Sequence, residues 1–197
     1  MIHHKGTSVF GLTLALYLGT VSSAQALPGQ NVQTVMRWVQ NHALLSPFER
    51  GIGELSGLPF YNSQAKVENG TVVFAMNPTD RTDKIVGEEI IAYQTQSNAG
   101  NTIFTRTNSE GLGIVQRIYD QSLTNDFQKS KYVARVEFNY VDLRFFQGKR
   151  FGYSTVSFKQ PTDGQWFYHF RVISLENLNG LILGEQQCRR QSADGCE

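Results

Sequence analysis

Cysteine and histidine are scarce in this chain. Among its 197 residues are two cysteines, Cys188 and Cys196, and four histidines. A structural zinc site needs four Cys/His ligands at characteristic spacings, and two cysteines with seven residues between them do not supply one. No metal site or cofactor is therefore expected. An oxygen-ligand set could be drawn from Asn77, Asp80 and Asp83, but they lack the spacing of a calcium loop, so this stretch reads as a turn. There is no Gly-x-Ser-x-Gly elbow. The glycines at 51, 53 and 57 are spaced one residue too widely for a dinucleotide-binding turn, and a helical pattern precedes them instead of a strand. Strong charge of either sign is also missing. Eighteen Lys and Arg stand against 17 Asp and Glu, which does not suit a nucleic-acid binder.

Long apolar runs are limited to one, Val9–Val21, which falls short of the roughly 20 residues a membrane span requires. Lys5 precedes it, and Ala24-Gln25-Ala26 follows in the small-x-small form that a signal peptidase cleaves. A positive start, a short apolar centre and a small-residue exit describe a secretory signal peptide. Residues 1–26 are expected to be removed, leaving 27–197 as a single β-rich globular domain. The expected location is the periplasm, the extracellular space or an equivalent lumen. In such a compartment an even pair of cysteines reads as a disulfide, so Cys188 and Cys196 are expected to close a short C-terminal loop. Asn69-Gly70-Thr71 matches a glycosylation sequon, but it reads equally well as a hairpin turn.

The helical signal is clearest from Asn31 to Pro47. Val32, Val35, Met36, Val39 and Ala43 share one face, Asn31 can cap the start, and Pro47 marks a stop. Strand patterns follow: Ala65–Glu68 and Thr71–Met76 as a hairpin, then Lys84–Thr95 and a short run at Asn101–Thr107. The segment Gly111–Ser130 fits either a helix or a strand leading into a short helix. Its two glycines and its Ile-Val-Ile-Tyr content favour the strand for its first half. In the last third, Tyr132, Ala134, Val136, Phe138 and Tyr140 alternate with Arg135, Glu137 and Asn139, and two further aromatic strands follow. In the last of these, Trp166, Tyr168, Phe170 and Val172 oppose Phe167, His169, Arg171 and Ile173.

The fold class is accordingly α+β and β-dominated. One N-terminal helix is followed by seven or eight mostly antiparallel strands, in a curled sheet or lipocalin-like barrel. The alternative is an open antiparallel sheet with helices on one face, of the NTF2 or cystatin type.

Without residues 1–26, two histidines remain. His42 closes the first helix, where an imidazole suits the negative end of the dipole. His169 is the one weak candidate for catalysis, as a general base working with Glu88, Glu89 or Asp142 in a pocket enzyme of isomerase or hydrolase type. Glu88 and Glu89 are adjacent on a strand and so point to opposite faces. The most distinctive surface motif is Leu143–Tyr153, where Arg144, Lys149 and Arg150 interleave with Phe145, Phe146, Phe151 and Tyr153. Without residues 1–26 the chain is formally neutral, with residues 27–128 carrying −3 and residues 129–197 carrying +3. This hairpin could meet an anionic surface or partner peripherally. Arg144, Phe146, Lys149, Arg150, Trp166 and Tyr168 are the candidate contact residues. The leading expectation is an exported, non-enzymatic binding or accessory protein whose β-rich pocket or face takes a small apolar ligand or a protein partner.

Overall fold

A computed structural model describes residues 27–52, 59–67, 70–79, 84, 86–95, 103–138, 141–159 and 166–191. The candidate signal peptide, the sequon asparagine Asn69, Asp80 and Asp83, the glycines at 53 and 57, and Cys196 lie outside the described residues.

Twelve elements are present in these segments. Helix α1 (Val32–Gln40) is followed by β1 (Glu49–Ile52), β2 (Pro59–Val67), β3 (Gly70–Pro78) and β4 (Val86–Thr95). Helices α2 (Ser109–Ile118) and α3 (Gln121–Gln128) come next. Then follow β5 (Lys131–Phe138), β6 (Val141–Gln147), β7 (Gly152–Lys159), β8 (Trp166–Ile173) and α4 (Leu175–Gln191). The eight strands form one antiparallel sheet in the order β1-β2-β3-β4-β8-β7-β6-β5. Two meanders of four strands are thus joined along a single seam, β4 against β8, running from Glu88↔Ile173 to Thr95↔Trp166.

The sheet is open, with β1 and β5 at its edges, so the barrel is not formed. The reason lies in the middle segment. Gly111–Ser130 is helical throughout its first half, not a strand, and two helices stand where barrel closure would need sheet. Local capping explains this better than propensity does. Asn108 accepts hydrogen bonds from the amides of Glu110 and Gly111, and Asp120 accepts one from Leu123. Each cap satisfies amides at a helix start that would otherwise have no partner. Ile103–Thr107, expected as strand, is irregular. Nor is the first helix the sole one; α1 starts at Val32, and three more lie between or after the strands.

One face of the sheet carries α1, α2 and α3. Val32, Val35 and Val39 of α1, Ile114, Val115 and Ile118 of α2, and Leu123 and Phe127 of α3 are buried there. They pack on Phe74, Ile91, Phe170 and Tyr153 from successive strands. Aromatic edges tie the layers, with Trp38 on Phe74 and Phe127 on Phe170. As the sequence pattern predicts, Asn31 caps α1 through the Gln33 amide. His42 joins α1 to α2. Its Nδ1 accepts from the Leu44 amide and its Nε2 donates to the Ile118 carbonyl.

The opposite face carries α4, which the strand pattern gave no reason to expect. Leu178 and Ile182 pack on Val136, Leu143, Phe145, Val156 and Ile173. Gly152 allows this approach, since a Cβ there would stand 3.0 Å from a Leu178 methyl. A register shift between Tyr132 and Ala134 in β5 corrects another expectation. Ala134 and Val136 lie beneath α4, whereas Tyr132 joins Phe146 on the face covered by α1–α3. Among the described residues, no helix is long and apolar enough to cross a membrane.

Candidate functional site

Glu88 and Glu89 part to opposite faces, as adjacent strand residues must. Glu89 enters the core beneath the helices, between Met76 and Val172 across the strands. Glu88 opens on the other face, opposite Asn77 and Ile173.

Beside Glu88 lies a cleft of about 710 Å³ between the first turns of α4 and the sheet. Helix α4 contributes Glu176, Asn177 and Leu181, and the sheet contributes Phe60, Glu88 and Ile173. Its size falls in the range of small-molecule sites. The Glu88 Oε1 accepts a hydrogen bond of 2.9 Å from the Asn77 amide. Its Oε2 is buried and has no partner. The described lining offers two carboxylates, two amides and an apolar wall, with no lysine or arginine among them. Such a lining is acidic and rich in oxygen acceptors. The same face continues along the β4–β8 seam to Arg171 and Ser154, which oppose each other. Arg171 Nε and Ser154 Oγ are also buried without partners.

His169 stands on this face but outside the cleft. Its neighbours across the strands are Ala92 and Val156, and Phe158 meets its ring edge to face at 5.5 Å. Burial, aided by the nearby Arg171 charge, lowers its pKa to about 4, so it is neutral at physiological pH. Glu89 and Asp142 lie on the other face of the sheet. Glu88 shares its face but sits four strand residues away, about 13 Å along the chain direction. Among the described residues, none of Glu88, Glu89 and Asp142 is brought beside His169.

The six candidate contact residues separate into three places. Arg144 and Phe146 line a recess beside β5 on the helix-bearing face. Lys149 and Arg150 flank a shallower one beside α3. There Asp126 holds the β6–β7 turn by accepting from the Lys149 and Arg150 amides. Trp166 and Tyr168 stack on one another at the far end of β8. Cys188 lies in the last turns of α4.

The cleft was not legible in the sequence. It draws on β2, β3, β4, β8 and α4, which only the strand order brings together. The adjacent glutamates were the one available signal. Among the described residues, no group of three or more His, Cys, Asp or Glu is placed to hold a metal ion. No protein-family model, curated protein or solved structure matches this chain.

Proposed function

We propose that this protein is a non-catalytic binding protein and that the cleft between α4 and the sheet is its ligand site. The ligand is a small molecule with an apolar body and a cationic or hydrogen-bond-donating group. The observation that carries this reading is the unpaired Glu88 Oε2 at the cleft. A buried acceptor without a partner costs about 1–3 kcal/mol. A donor delivered from the cleft would recover that cost with a small turn of the carboxylate. Phe60, Ile173 and Leu181 supply the apolar contact.

The test is a thermal-shift and calorimetric screen of aliphatic and aromatic amines against alcohols and carboxylates of matched shape. Amines are expected to bind best. Glu88→Gln should weaken them by about tenfold, as loss of a charge-assisted bond implies. Leu181→Trp, which fills the cleft, should abolish binding. If no class shifts the melt, or if Leu181→Trp binds as well as the parent, the cleft is not a ligand site.

The compartment and the C-terminal bridge belong to the same proposal. The three signal regions that follow one another in the sequence of residues 1–26 support export, and export supports a Cys188–Cys196 disulfide. Intact mass without reductant is expected to show a product beginning at Leu27 and lighter by two hydrogens than the reduced chain. A full-length mass, or one that reductant does not change, would count against the respective claim.

A further inference from the structure

We propose that the recess beside β5 is a second binding site, one that takes the oxyanion group, carboxylate or phosphate, of a small molecule. It measures about 390 Å³ and is lined by Arg106, Arg135, Arg144, Tyr132, Phe146 and Thr155, among others. Three guanidiniums from two strands and the irregular segment before α2 converge on one small volume.

Their convergence is built into the sheet. Arg135 and Arg144 are register partners on the same face. Like charges placed directly opposite one another destabilise a sheet. Asp142, two residues from Arg144, relieves this from behind. Its Oδ1 accepts from Arg135 Nε at 2.7 Å, and its Oδ2 accepts from Arg144 Nη2 at 2.6 Å and Nε at 3.0 Å. Burial works against the Asp142 charge, but the two arginines more than offset it and hold the carboxyl below its usual range. Glu137 takes Arg135 Nη1 at 3.2 Å from the exposed rim.

Arg106 is different. Its Nη1 donates to the Ser130 carbonyl at 2.6 Å, and its guanidinium lies over the Phe146 ring at 5.6 Å. No described carboxylate reaches it within salt-bridge distance. Three cations therefore line the recess, and the two carboxylates that pair with Arg135 and Arg144 stand outside its lining. Asp142 is not part of its lining. Each guanidinium is oriented by a hydrogen bond, which leaves further N–H groups for a ligand at little ordering cost. Thr155 is buried at the site, and the Thr105 and Thr107 hydroxyls complete a donor-rich lining. Phe146 and Tyr132, in edge contact at 5.8 Å, give the anion's carrier an aromatic surface.

The probes are inorganic phosphate and sodium benzoate, titrated calorimetrically at constant ionic strength with chloride as reference. At least one is expected to bind saturably with a stoichiometry of one. Tighter benzoate binding would assign an organic carboxylate, and tighter phosphate binding a phosphate ester. Arg106→Gln and Arg144→Gln should each weaken that binding by about tenfold or more, whereas Leu181→Trp should leave it unchanged. Arg144→Gln frees Asp142 and can lower stability, so Arg106→Gln, whose charge has no carboxylate partner among the described residues, is the deciding variant. The proposal is overturned if neither probe exceeds chloride, or if Arg106→Gln binds as well as the parent. Because Leu181→Trp acts on the cleft alone, failure of either site leaves the other standing.

Discussion

Replacing Glu89 by glutamine is expected to stabilise the protein at neutral and alkaline pH while changing it little at pH 5. Glu89 is fully buried in the helix-bearing face, and neither of its carboxylate oxygens forms a hydrogen bond of full geometry. Burial raises its pKa from 4.5 to about 8, and the neighbouring Tyr119 phenol offsets only part of the rise. The Tyr119 phenol is in turn pushed well above its ordinary value, first by burial and then by Glu89. The native state thus keeps a proton that the unfolded state releases. Where the folded pKa is the higher, stability is greatest below the unfolded pKa and is lost as pH rises through the folded one. The window runs from about 4.5 to about 8, and a shift of this size corresponds to about 4–5 kcal/mol across it. Glutamine is always neutral, so the variant should lose this slope and gain about 3 kcal/mol at pH 7. Urea unfolding at pH 5, 7 and 9 measures it. Parallel pH profiles for parent and variant would show that Glu89 is not held protonated.

Removing the Asp126 carboxylate should have an effect of similar size and opposite sign. Asp126 lies on α3 yet organises the β6–β7 turn. It accepts from the backbone amides of Lys149 and Arg150 and, at 2.7 Å, from the Tyr153 hydroxyl. Tyr153 is wholly buried, packed on Phe127 and Phe170. Burial and the bond to Asp126 push its phenol far above the ordinary tyrosine range. Without the carboxylate that hydroxyl is left buried and unpaired, costing about 1–3 kcal/mol, and two turn amides lose their acceptor. Asp126→Ala is therefore expected to cost about 2–4 kcal/mol in chemical denaturation, with Asp126→Asn in between because its amide oxygen still accepts. Gly148 belongs to the same arrangement, since a Cβ there would run into the Asp126 carboxylate. Equal stability of Asp126→Ala and the parent would show that the turn stands without it.

These two carboxylates also mark where sequence reading succeeds and where it stops. β-Branched content and turn signals revealed β3 and β4, and alternation revealed the faces of β8 and the division of Glu88 from Glu89, because a two-residue period is local. The aromatic pattern correctly grouped Trp166, Tyr168, Phe170 and Val172. It could not reveal the β5 shift, which turns Tyr132 away from the row it belongs to in sequence. The β-branched residues Ile114, Val115 and Ile118 looked like a strand, yet they pack as a helix face. The capping residues Asn108 and Asp120 were the better signal. Helix α4 carries Gly180 and Gly184 within it and a weak apolar stripe, Leu178, Leu181 and Ile182, so neither propensity nor period announced it. Both recesses depend on strand order. Arg135 and Arg144 are nine residues apart in sequence, but their opposition and the shared Asp142 are products of register. Arg106 reaches them only through the packing of the segment before α2.

The seam between β4 and β8 has a consequence for how the chain comes into being. As the polypeptide lengthens, β4 can lie beside β3 at once. Its other neighbour does not exist until Trp166–Ile173 has been made, at least 71 residues after Thr95. Throughout that interval alternate residues of β4 present unsatisfied amides and carbonyls to whatever strand comes first, a second nascent copy included. Helices α2 and α3 are made in this interval; Tyr119 at the end of α2 meets Phe74 of the strands already made, whereas Phe127 of α3 rests on Phe146, Tyr153 and Phe170, which are made after it. In the order of synthesis α2 is an early cover for one side of a half-built molecule, and α3 completes that cover only with the last strands.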